Sequence, residues 1–298
     1  MSFSKIIVGF WDINKKGCGL GSLLIFQEEL LQYRDLINAE KINLYFCCNS
    51  VSKHKELLTT TANLNPYLGS LSFIKDYRDF KRDKNEYIWP NSKNTSNISY
   101  AESYLAVQEL WKQSGNLFRL KSLGTVIKIA EDWISNYVGK DTAISVHLKN
   151  NPDDQQSNAN QDAWFEFILN CYQNNMPVKF VLIGNDKIDS KISKLPNVVL
   201  SKEHGGDLEL DLALIELSSA FMGMSSGPCN MAILSDKPYL IWKHPEHHKV
   251  EMEREFQGHK QFVFANDNQK FMQDWDTLEN IQREFSNLFR QLKPDNYA

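Results

Sequence analysis

The chain has 298 residues, which is enough for about two domains of ordinary size. Hydrophobic residues make up 42% and charged residues 23%, so the chain can bury a core and intrinsic disorder is excluded. The net charge of −4 gives no general attraction to nucleic acid or anionic lipid. No apolar run predicts a transmembrane helix or a signal peptide, and the five cysteines include no C-x-x-C motif, so we expect a cytoplasmic protein with reduced thiols.

Short β-rich runs alternate with longer amphipathic stretches, and this alternation predicts an α/β protein. The chain opens with a predicted βαβ unit, made of a strand at residues 5–10, a helix at 22–33 and a strand at 42–48. Residues 81–99 are polar and include Pro90, which predicts a surface loop. The glycosylation sequons at Asn94 and Asn97 have no meaning in a cytoplasmic chain. Two further helices are predicted at residues 100–113 and 123–137.

A second α/β unit is predicted from residue 141 onwards. Its predicted strands cover residues 142–148, 179–184, 197–200, 220–224 and 238–242. Its predicted helices begin near residue 162 and cover residues 211–219, 229–234 and 278–292, the last with an apolar stripe over about four turns. We therefore predict two Rossmann-like domains, residues 1–140 and residues 141–277.

The segment after the strand at residues 220–224 carries the strongest local signal. There Ser225, Ser226, Gly227 and Pro228 form a tight turn that leads at once into a predicted helix. Gly227 permits the turn, and Pro228 suits the first helical position, where no amide hydrogen is needed. Free helix amides and two hydroxyls at the carboxyl end of a strand predict a phosphate or diphosphate site. The alternative is structural, with one serine capping the helix.

His147 and Lys149 mark the end of the predicted strand at residues 142–148. Residues two apart on a strand share a face, so the two side chains are expected to project together. An imidazole and an ammonium group at this place suit a diphosphate leaving group, with Lys149 as a point charge. The alternative is a histidine satisfied in the core and a solvated lysine.

The glycine-rich turn at residues 17–21 lies between the first predicted strand and helix, as a phosphate-binding turn would. Its spacing is G-x-G-x-G, and Cys-Cys-Asn at residues 47–49 stands where a ribose-binding carboxylate is expected, so a NAD(P) or flavin site is not favoured. Asp12, at the end of the first strand, is a candidate general base, with a turn-forming role as the alternative. The histidines at residues 244–248 have metal-ligand chemistry, but without partners elsewhere they are more typical of a polar surface.

Residues 211–228 resemble the nucleotide-sugar motif of GT-B glycosyltransferases, above all that of the ADP-heptose:lipopolysaccharide heptosyltransferases. The shared pattern is a hydrophobic strand, a glycine, and then Ser-Gly-Pro before a helix. The start at residues 19–24 is similar to the Gly-Asp-Leu start of that family. The strand with His147 and Lys149 resembles the His-x-Arg strand of fucosyltransferase-like GT-B enzymes.

This resemblance implies an α/β fold of the GT-B type, in which two Rossmann-like domains with parallel sheets face a central cleft. It implies that the final helix, at residues 278–292, packs back on the first domain. It also implies a nucleotide-sugar donor in the second domain, an acceptor facing the first, and no metal ion or other bound cofactor.

The function predicted on this basis is a cytoplasmic glycosyltransferase of hexosyl or heptosyl type in polysaccharide biosynthesis, with a nucleotide sugar as donor and a glycan or other hydroxyl as acceptor. A carboxylate can accept both ribose hydroxyls, which makes Glu216 a candidate for that contact. The predicted catalytic residues are Asp12, His147 and Lys149. The predicted donor-binding residues are Glu216, Gly223, Ser225, Ser226, Gly227 and Pro228.

Two departures from the family patterns leave other functions open. Ser22 stands where the heptosyltransferases carry an aspartate associated with catalysis. Lys149 stands where the fucosyltransferase-like pattern has arginine, which loses a two-pronged contact with a diphosphate. The alternatives are a non-catalytic nucleotide- or glycan-binding protein with a degenerate transferase fold, and a sugar-nucleotide epimerase.

Overall fold

The computed structural model describes residues 5–80, 86–90 and 104–292. The chain divides into two units, Met1–Leu123 and Gly124–Ala298. In the described part of the first unit the strands are β1 (Ile6–Asp12), β2 (Lys41–Cys47), β3 (Leu68–Ile74) and β4 (Glu86–Trp89). Its helices are α1 (Ile13–Lys16), α2 (Leu20–Ile37), α3 (Val51–Asn63) and α4 (Leu105–Ser114).

The strands of the first unit form one parallel sheet in the order β3-β2-β1-β4. β1 lies inside this sheet, and Ile7, Val8 and Phe10 are buried on its two faces, as expected for an interior parallel strand. The predicted βαβ start of the chain is confirmed, with each element within a few residues of its predicted bounds. Helix α3 and strand β3 were not predicted. The pattern of β3 is weak because the strand is only half-buried and its sequence includes Gly69 and two serines.

Strand β4 corrects the prediction of a surface loop at residues 81–99. Glu86 and Ile88 are buried and alternate with the exposed Tyr87, because β4 pairs with β1 at one side of the sheet. This strand was not predicted because it is short and the sequence on both sides of it is polar. Residues 81–85 and 91–99, with both sequons, lie outside the described residues, as does the start of the predicted helix at residues 100–113.

Helix α2 packs against α4 and buries a polar stripe there. Gln27, Glu28 and Gln32 are fully buried. One carboxyl oxygen of Glu28, Oε1, accepts the Phe118 amide at 2.8 Å and the Gln32 amide group at 3.1 Å. The other, Oε2, has no hydrogen-bond partner among the described residues. Burial therefore raises the pKa of Glu28 well above its ordinary value of 4.5.

Glu28→Gln is expected to stabilise the protein at neutral pH. The raised pKa means that the folded chain holds a proton that the unfolded chain releases above its ordinary pKa, so stability falls as pH rises from about 4.5 towards the folded pKa. Glutamine copies the protonated form, since Oε1 keeps both contacts. Urea unfolding between pH 4 and 8 measures the effect, with the exposed Glu56→Gln as the control. Equal pH dependence of the wild type and Glu28→Gln would contradict this account.

In the second unit the described strands are β5 (Thr142–His147), β6 (Val178–Leu182), β7 (Val198–Leu200), β8 (Ala220–Met224), β9 (Tyr239–Lys243) and β10 (Gln269–Gln273). Its helices are α5 (Gly124–Tyr137), α6 (Gln161–Gln173), α7 (Ser190–Ser193), α8 (Leu208–Leu217), α9 (Asn230–Ile233), α10 (Lys249–Phe256) and α11 (Leu278–Leu292). Five of the strands were predicted. β10 was not, because Phe271 is its one large apolar residue that is fully covered.

These six strands form one parallel sheet in the order β10-β9-β8-β5-β6-β7. Counted along the chain this is the 3-2-1-4-5-6 order of a doubly wound Rossmann sheet. The predicted α/β class with two parallel Rossmann-like sheets is confirmed. The order reverses between β5 and β8, so the two strands that open the two halves of this sheet lie side by side.

The boundary between the units differs from the predicted one at residues 140 and 141. Helix α5 belongs to the second unit because it packs on α8 and the loop before it. The Trp133 indole donates a hydrogen bond to the His204 carbonyl at 3.2 Å, and the Tyr137 ring stacks on the His204 ring at 4.1 Å between centroids. These contacts are long-range, and the helical pattern of α5 alone does not reveal them.

Helix α11 was expected to pack back on the first unit. Its apolar face instead lies in the core of the second unit, where Phe285 meets Phe167 of α6 at 5.0 Å between ring centroids. Ile281, Leu288 and Phe289 belong to the same core. The amphipathic pattern predicted the helix at its exact bounds, but such a pattern contains no information about the surface that covers it. No described helix is both long enough and apolar enough to span a membrane.

Candidate functional site

The candidate site lies at the point of the second sheet where the strand order reverses. In open α/β sheets, ligands bind outside the carboxyl ends of the strands at such a switch point. β5 ends with His147, and the β5–β8 register places His147 opposite Gly223. Ser225 and Ser226 follow directly on β8. The two strongest signals of the sequence therefore meet at one sheet edge.

His147 lies between two side chains that follow the neighbouring strands β6 and β8. Its Nδ1 lies 2.9 Å from the Ser226 hydroxyl, and its Nε2 lies 3.1 Å from Oδ2 of Asp186. Asp186 follows β6, and its Oδ1 accepts the Asn150 amide at 2.7 Å. The His147 hydrogen bond is the main cause that lowers the pKa of Asp186, with the Asn150 amide also contributing, so this carboxyl group is ionised at neutral pH.

Two glycines make room for His147. A Cβ on Gly184 would lie 2.8 Å from the imidazole ring, and a Cβ on Gly223 would collide with the His147 carbonyl oxygen. Both glycines have positive φ angles, 87° and 137°. Gly223 was predicted to bind the donor, and the structure gives it a packing role between β5 and β8. Gly184 was not predicted.

Two lysines, Lys149 and Lys243, and a second imidazole, that of His247, lie beside this histidine. Lys149 Nζ and His247 Nε2 each lie 3.3 Å from Oδ2 of Asp154. Burial, together with the positive charge of Lys243, lowers the pKa of His247 to about 4, so this imidazole is uncharged at neutral pH. Burial also lowers the pKa of Lys243, which ends β9. These groups converge on the carboxyl ends of β5 and β9, where an anion would replace or join Asp154.

His147 and Lys149 were expected to share one face of a strand. β5 instead ends at His147, so Lys149 lies in the following loop and the period of two does not apply. His147 is 4% exposed and contacts Asp186 and Ser226. Lys149 is part-exposed and contacts Asp154. The structure brings both to the same region through different elements.

The turn after β8 is shaped differently from the prediction. Helix α9 has only four residues, so its dipole is small, and no side chain caps it. The Ser225 amide donates to the Trp242 carbonyl at 2.7 Å, and the Ser226 amide donates to the Cys229 sulfur at 3.4 Å. Within the described chain, the Ser225 hydroxyl and the amides of Gly227 and Cys229 have no hydrogen-bond partner. An anion at this turn would therefore be bound by these three donors and not by the dipole of a long helix. Neither serine acts as the alternative N-cap.

Pro228 lies within the turn between Gly227 and Cys229, whereas Glu216 stands apart from the polar groups of this edge. Pro228 accepts the Met231 amide at 3.1 Å and starts the turn of α9. Glu216 lies in the last turn of α8, which returns the chain to the start of β8. Because strand and helix run in opposite directions here, Glu216 is placed near the amino-terminal edge of the sheet. The structure does not bring it to residues 225–227, and its predicted contact with the ribose lacks support from the topology.

Asp12 ends β1 in the first unit and is 5% exposed. Its Oδ1 accepts the Asn14 amide at 3.1 Å, and Oδ2 lies 3.5 Å from Lys15 Nζ. It therefore caps α1, as the turn-forming alternative predicted. The glycine-rich turn continues from there, with Gly17 closing α1 and Gly19 preceding α2.

The histidines at residues 244–248 separate into different surroundings. His244 Nε2 lies 3.0 Å from Oδ1 of the buried Asp276, whose Oδ2 accepts the Trp164 indole at 2.9 Å. His247 faces Asp154, and His248 lies 3.9 Å from Glu251. Among the described residues no three His, Cys, Asp or Glu side chains are grouped so that they could hold a metal ion.

Sequence reasoning missed Asp186, Gly184 and Lys243 as members of this edge. A signal for the first two was present, because Gly184 ends the predicted strand at residues 179–184 and Asp186 lies two residues after it. The rule that polar residues at the carboxyl ends of parallel strands meet at one edge applies to Asp186 as well as to His147. Lys243 was counted outside the strand at residues 238–242, and only the observed register places it beside the site.

Comparison with known proteins gives structural relatives only. No protein-family model matches the chain, and no curated protein sequence matches it. A glycosyl transferase family 9 protein from Veillonella parvula is 13% identical, with a TM-score of 0.57 over 90% of this chain and 85% of that one. The ADP-heptose lipopolysaccharide heptosyltransferase II of E. coli is 10% identical, with a TM-score of 0.57 over 99% and 100% of the two chains.

A third relative is the dodecameric iron-containing heptosyltransferase TibC, from enterotoxigenic E. coli, in complex with ADP-D-β-D-heptose. It is 11% identical, with a TM-score of 0.50 over 98% of this chain and 79% of that one. At such low identity the similarity concerns the fold. With its two parallel Rossmann-like sheets, the chain has the fold of the GT-B glycosyltransferases.

Proposed function

We propose that this chain is a glycosyltransferase that moves a sugar from a nucleotide-sugar donor to a hydroxyl acceptor such as a glycan. The observation that carries the proposal is the group of Lys149, Ser226 and His147 at the switch point of the second sheet. Such a place binds phosphates in open α/β sheets. The complex of the structurally similar TibC with ADP-heptose supports a sugar nucleotide as the donor class.

The donor diphosphate would be bound by groups from three strand ends. Lys149 would exchange its contact with Asp154 for a phosphate oxygen, and Lys243 would add a second positive charge. The Ser225 hydroxyl and the amides of Gly227 and Cys229 would donate hydrogen bonds to the same group. Charge grows on the diphosphate as the sugar leaves, so fixed donors and cations stabilise the transition state more than the bound donor.

In this proposal the lysines supply the positive charge that a divalent metal supplies elsewhere, so chelators should leave turnover unchanged. A cytoplasmic setting, where thiols stay reduced, fits the five free cysteines. We expect the transferred sugar to be a hexose or a heptose.

A thermal-shift screen against nucleoside diphosphates and their sugars tests the proposal. A ligand at 100 times its dissociation constant should stabilise the folded protein by ~2.7 kcal/mol. A positive sugar nucleotide is then incubated with the protein, and the release of nucleoside diphosphate is followed with and without glycan acceptors. Stabilisation by none of the diphosphates would refute the proposal.

The capping role of Asp12 favours a second candidate, a nucleotide- or glycan-binding protein without turnover. Both carboxyl oxygens of Asp12 are engaged within the first unit, and Ser22 cannot act as a base unaided. A glycosyltransferase needs a group that takes the proton of the acceptor hydroxyl, and Asp12 is the proposed base. The two candidates therefore differ in what Asp12 does.

Asp12→Asn separates the two candidates. Asparagine keeps the size and most of the capping hydrogen bond but removes the basicity. If Asp12 is the base, transfer should fall at least about tenfold while donor binding and melting temperature stay nearly unchanged. Transfer at the parent rate would place the base elsewhere, and a large drop in melting temperature would assign Asp12 to the turn alone. Donor binding without any turnover in the wild type would favour the binding protein.

A further inference from the structure

The hydrogen bonds around His147 determine where its proton lies. The hydrogen bond with His147 lowers the pKa of Asp186 below its ordinary acidic value, so at neutral pH this side chain is a carboxylate and can only accept. The proton between the two must therefore be on Nε2 of His147. In the neutral imidazole the other nitrogen, Nδ1, is then an acceptor. The Ser226 hydroxyl, 2.9 Å away, must donate its hydrogen to Nδ1.

This arrangement directs the Ser226 hydrogen into the protein. Only oxygen lone pairs of that hydroxyl are left for a ligand, and a phosphate oxygen also offers only lone pairs. The backbone of Ser226 cannot turn to compensate, because its amide donates to Cys229 and its carbonyl accepts from Cys229 and Asn230. In this state Ser226 repels an anion rather than binding it.

We propose that Asp186 and His147 form a proton-linked positioning relay: when a diphosphate binds, His147 takes up one proton from solvent and Ser226 turns its hydrogen to the ligand. In the bound state Nε2 still donates to Asp186, and Nδ1 now donates to the Ser226 oxygen. Ser226 is thereby free to donate to a phosphate oxygen. The inference rests on the proposed diphosphate site. It assigns Asp186, acting through His147, as the residue that sets the direction of the Ser226 hydrogen bond.

The charged groups that face His147 come from several elements. Asp186 follows β6, and Asp211 of α8 lies behind Gly184, whose amide it accepts at 2.8 Å. Burial raises the pKa of Asp211, and its hydrogen bonds with the Ser201 hydroxyl and the Gly184 amide counter part of this rise. Lys149 follows β5, and its charge acts on Asp186. Cys229 lies behind Ser226, and burial raises its pKa to about 11, so it stays a neutral thiol. Among the described residues, Asp186 is the carboxylate in direct contact with the imidazole, and it would stabilise the extra proton.

Asp186→Asn tests the relay because its orientation is fixed. The Asn150 amide donates to Oδ1, so the new amide group must face Nε2 and donate to it. Neutral His147 then carries its hydrogen on Nδ1 and donates to Ser226 without any proton uptake. The variant should bind the diphosphate without taking up a proton, and its affinity should hardly depend on pH. In the wild type, affinity should fall as pH rises, by at most about tenfold per pH unit, because one proton is taken up with each ligand.

The experiment is calorimetric titration with ADP-ribose, whose diphosphate diester does not itself change charge near neutrality, in two buffers of different ionisation enthalpy. At about pH 7.5 the wild type is expected to take up protons on binding, up to one per ligand, whereas Asp186→Asn should take up none. The exposed Asp153→Asn removes the same charge and should behave as the wild type. His247→Gln controls for the second imidazole and should retain the uptake even if binding weakens.

Nitrogen chemical shifts of the His147 ring give a measurement on the unaltered protein. Without ligand one ring nitrogen should carry a proton, and with ADP-ribose both should. Equal proton uptake by the wild type and Asp186→Asn, or no change at Nδ1 on binding, would overturn the relay while leaving the diphosphate site in place. No binding of ADP-ribose or of any other nucleoside diphosphate would overturn the proposed function and the relay with it.

Discussion

Lys149→Ala is expected to slow the release of nucleoside diphosphate from the donor by about 30- to 1,000-fold, which corresponds to ~2–4 kcal/mol of transition-state stabilisation. Lys149 lies in the loop after β5, and its contact with Asp154 can be exchanged for a phosphate oxygen. The charge of the diphosphate increases as the sugar bond breaks, so the loss should appear mainly in kcat and less in the donor KM.

The matched control is Lys187→Ala, which removes the same charge from an exposed lysine on the neighbouring loop. Its turnover should stay within a factor of about two, since an exposed charge in solvent contributes little. If Lys149→Ala also keeps turnover within that factor, Lys149 is a structural partner of Asp154 and the leaving group is stabilised elsewhere. A rise in donor KM with unchanged kcat would mean that Lys149 binds donor and transition state equally.

Gly223→Ala should destabilise the second unit by about 3 kcal/mol or more. The φ angle of Gly223 is 137°, a conformation that a residue with a Cβ rarely adopts. The added methyl group would also meet the backbone of His147, which is hydrogen-bonded in the sheet and cannot move aside. The β5–β8 pairing would have to open at the place where His147 and Ser226 meet, so diphosphate binding should be lost as well.

Gly139→Ala isolates the backbone contribution to this effect. Gly139 also has a positive φ angle, 71°, but a Cβ there would meet nothing within 4 Å. Its alanine variant should lose only about 1 kcal/mol, the typical cost of the left-handed region for a residue with a Cβ. Guanidinium unfolding of both variants gives the comparison. Equal losses would show that the close approach to His147 costs nothing and that only the φ angle matters.

The position of these residues explains why the site and the fold depend on each other. His147 needs Gly184 and Gly223 for space, and Asp186 and Ser226 for its hydrogen bonds. Each of these residues follows, or lies at the end of, a parallel strand of the same sheet. Ordering the sheet therefore orders the imidazole before any ligand arrives, which is the preorganisation that a charge-stabilising site requires.

The sequence by itself determined the α/β class, most strands of the two sheets and the segments that end at the candidate site. Strand and helix periods are local properties, and β8 and α11 were predicted at their exact bounds for this reason. The rule that ligands bind at the carboxyl ends of parallel strands then brought His147 and Ser226 to one edge. Both steps need only the pattern along the chain.

Tertiary structure alone decided the contacts that give those residues their chemistry. Sequence patterns located Ser226 and His147 but not Asp186, since the pairing of β5 with β6 and β8 is a long-range outcome. The helical period predicted that α11 has an apolar face but not which surface covers that face. In the structure the core around Phe167 covers it. Glu216 satisfied the chemistry of a ribose contact, but the direction of α8 placed it near the opposite edge. Local patterns specify elements, whereas the position of a side chain depends on which surfaces pack together.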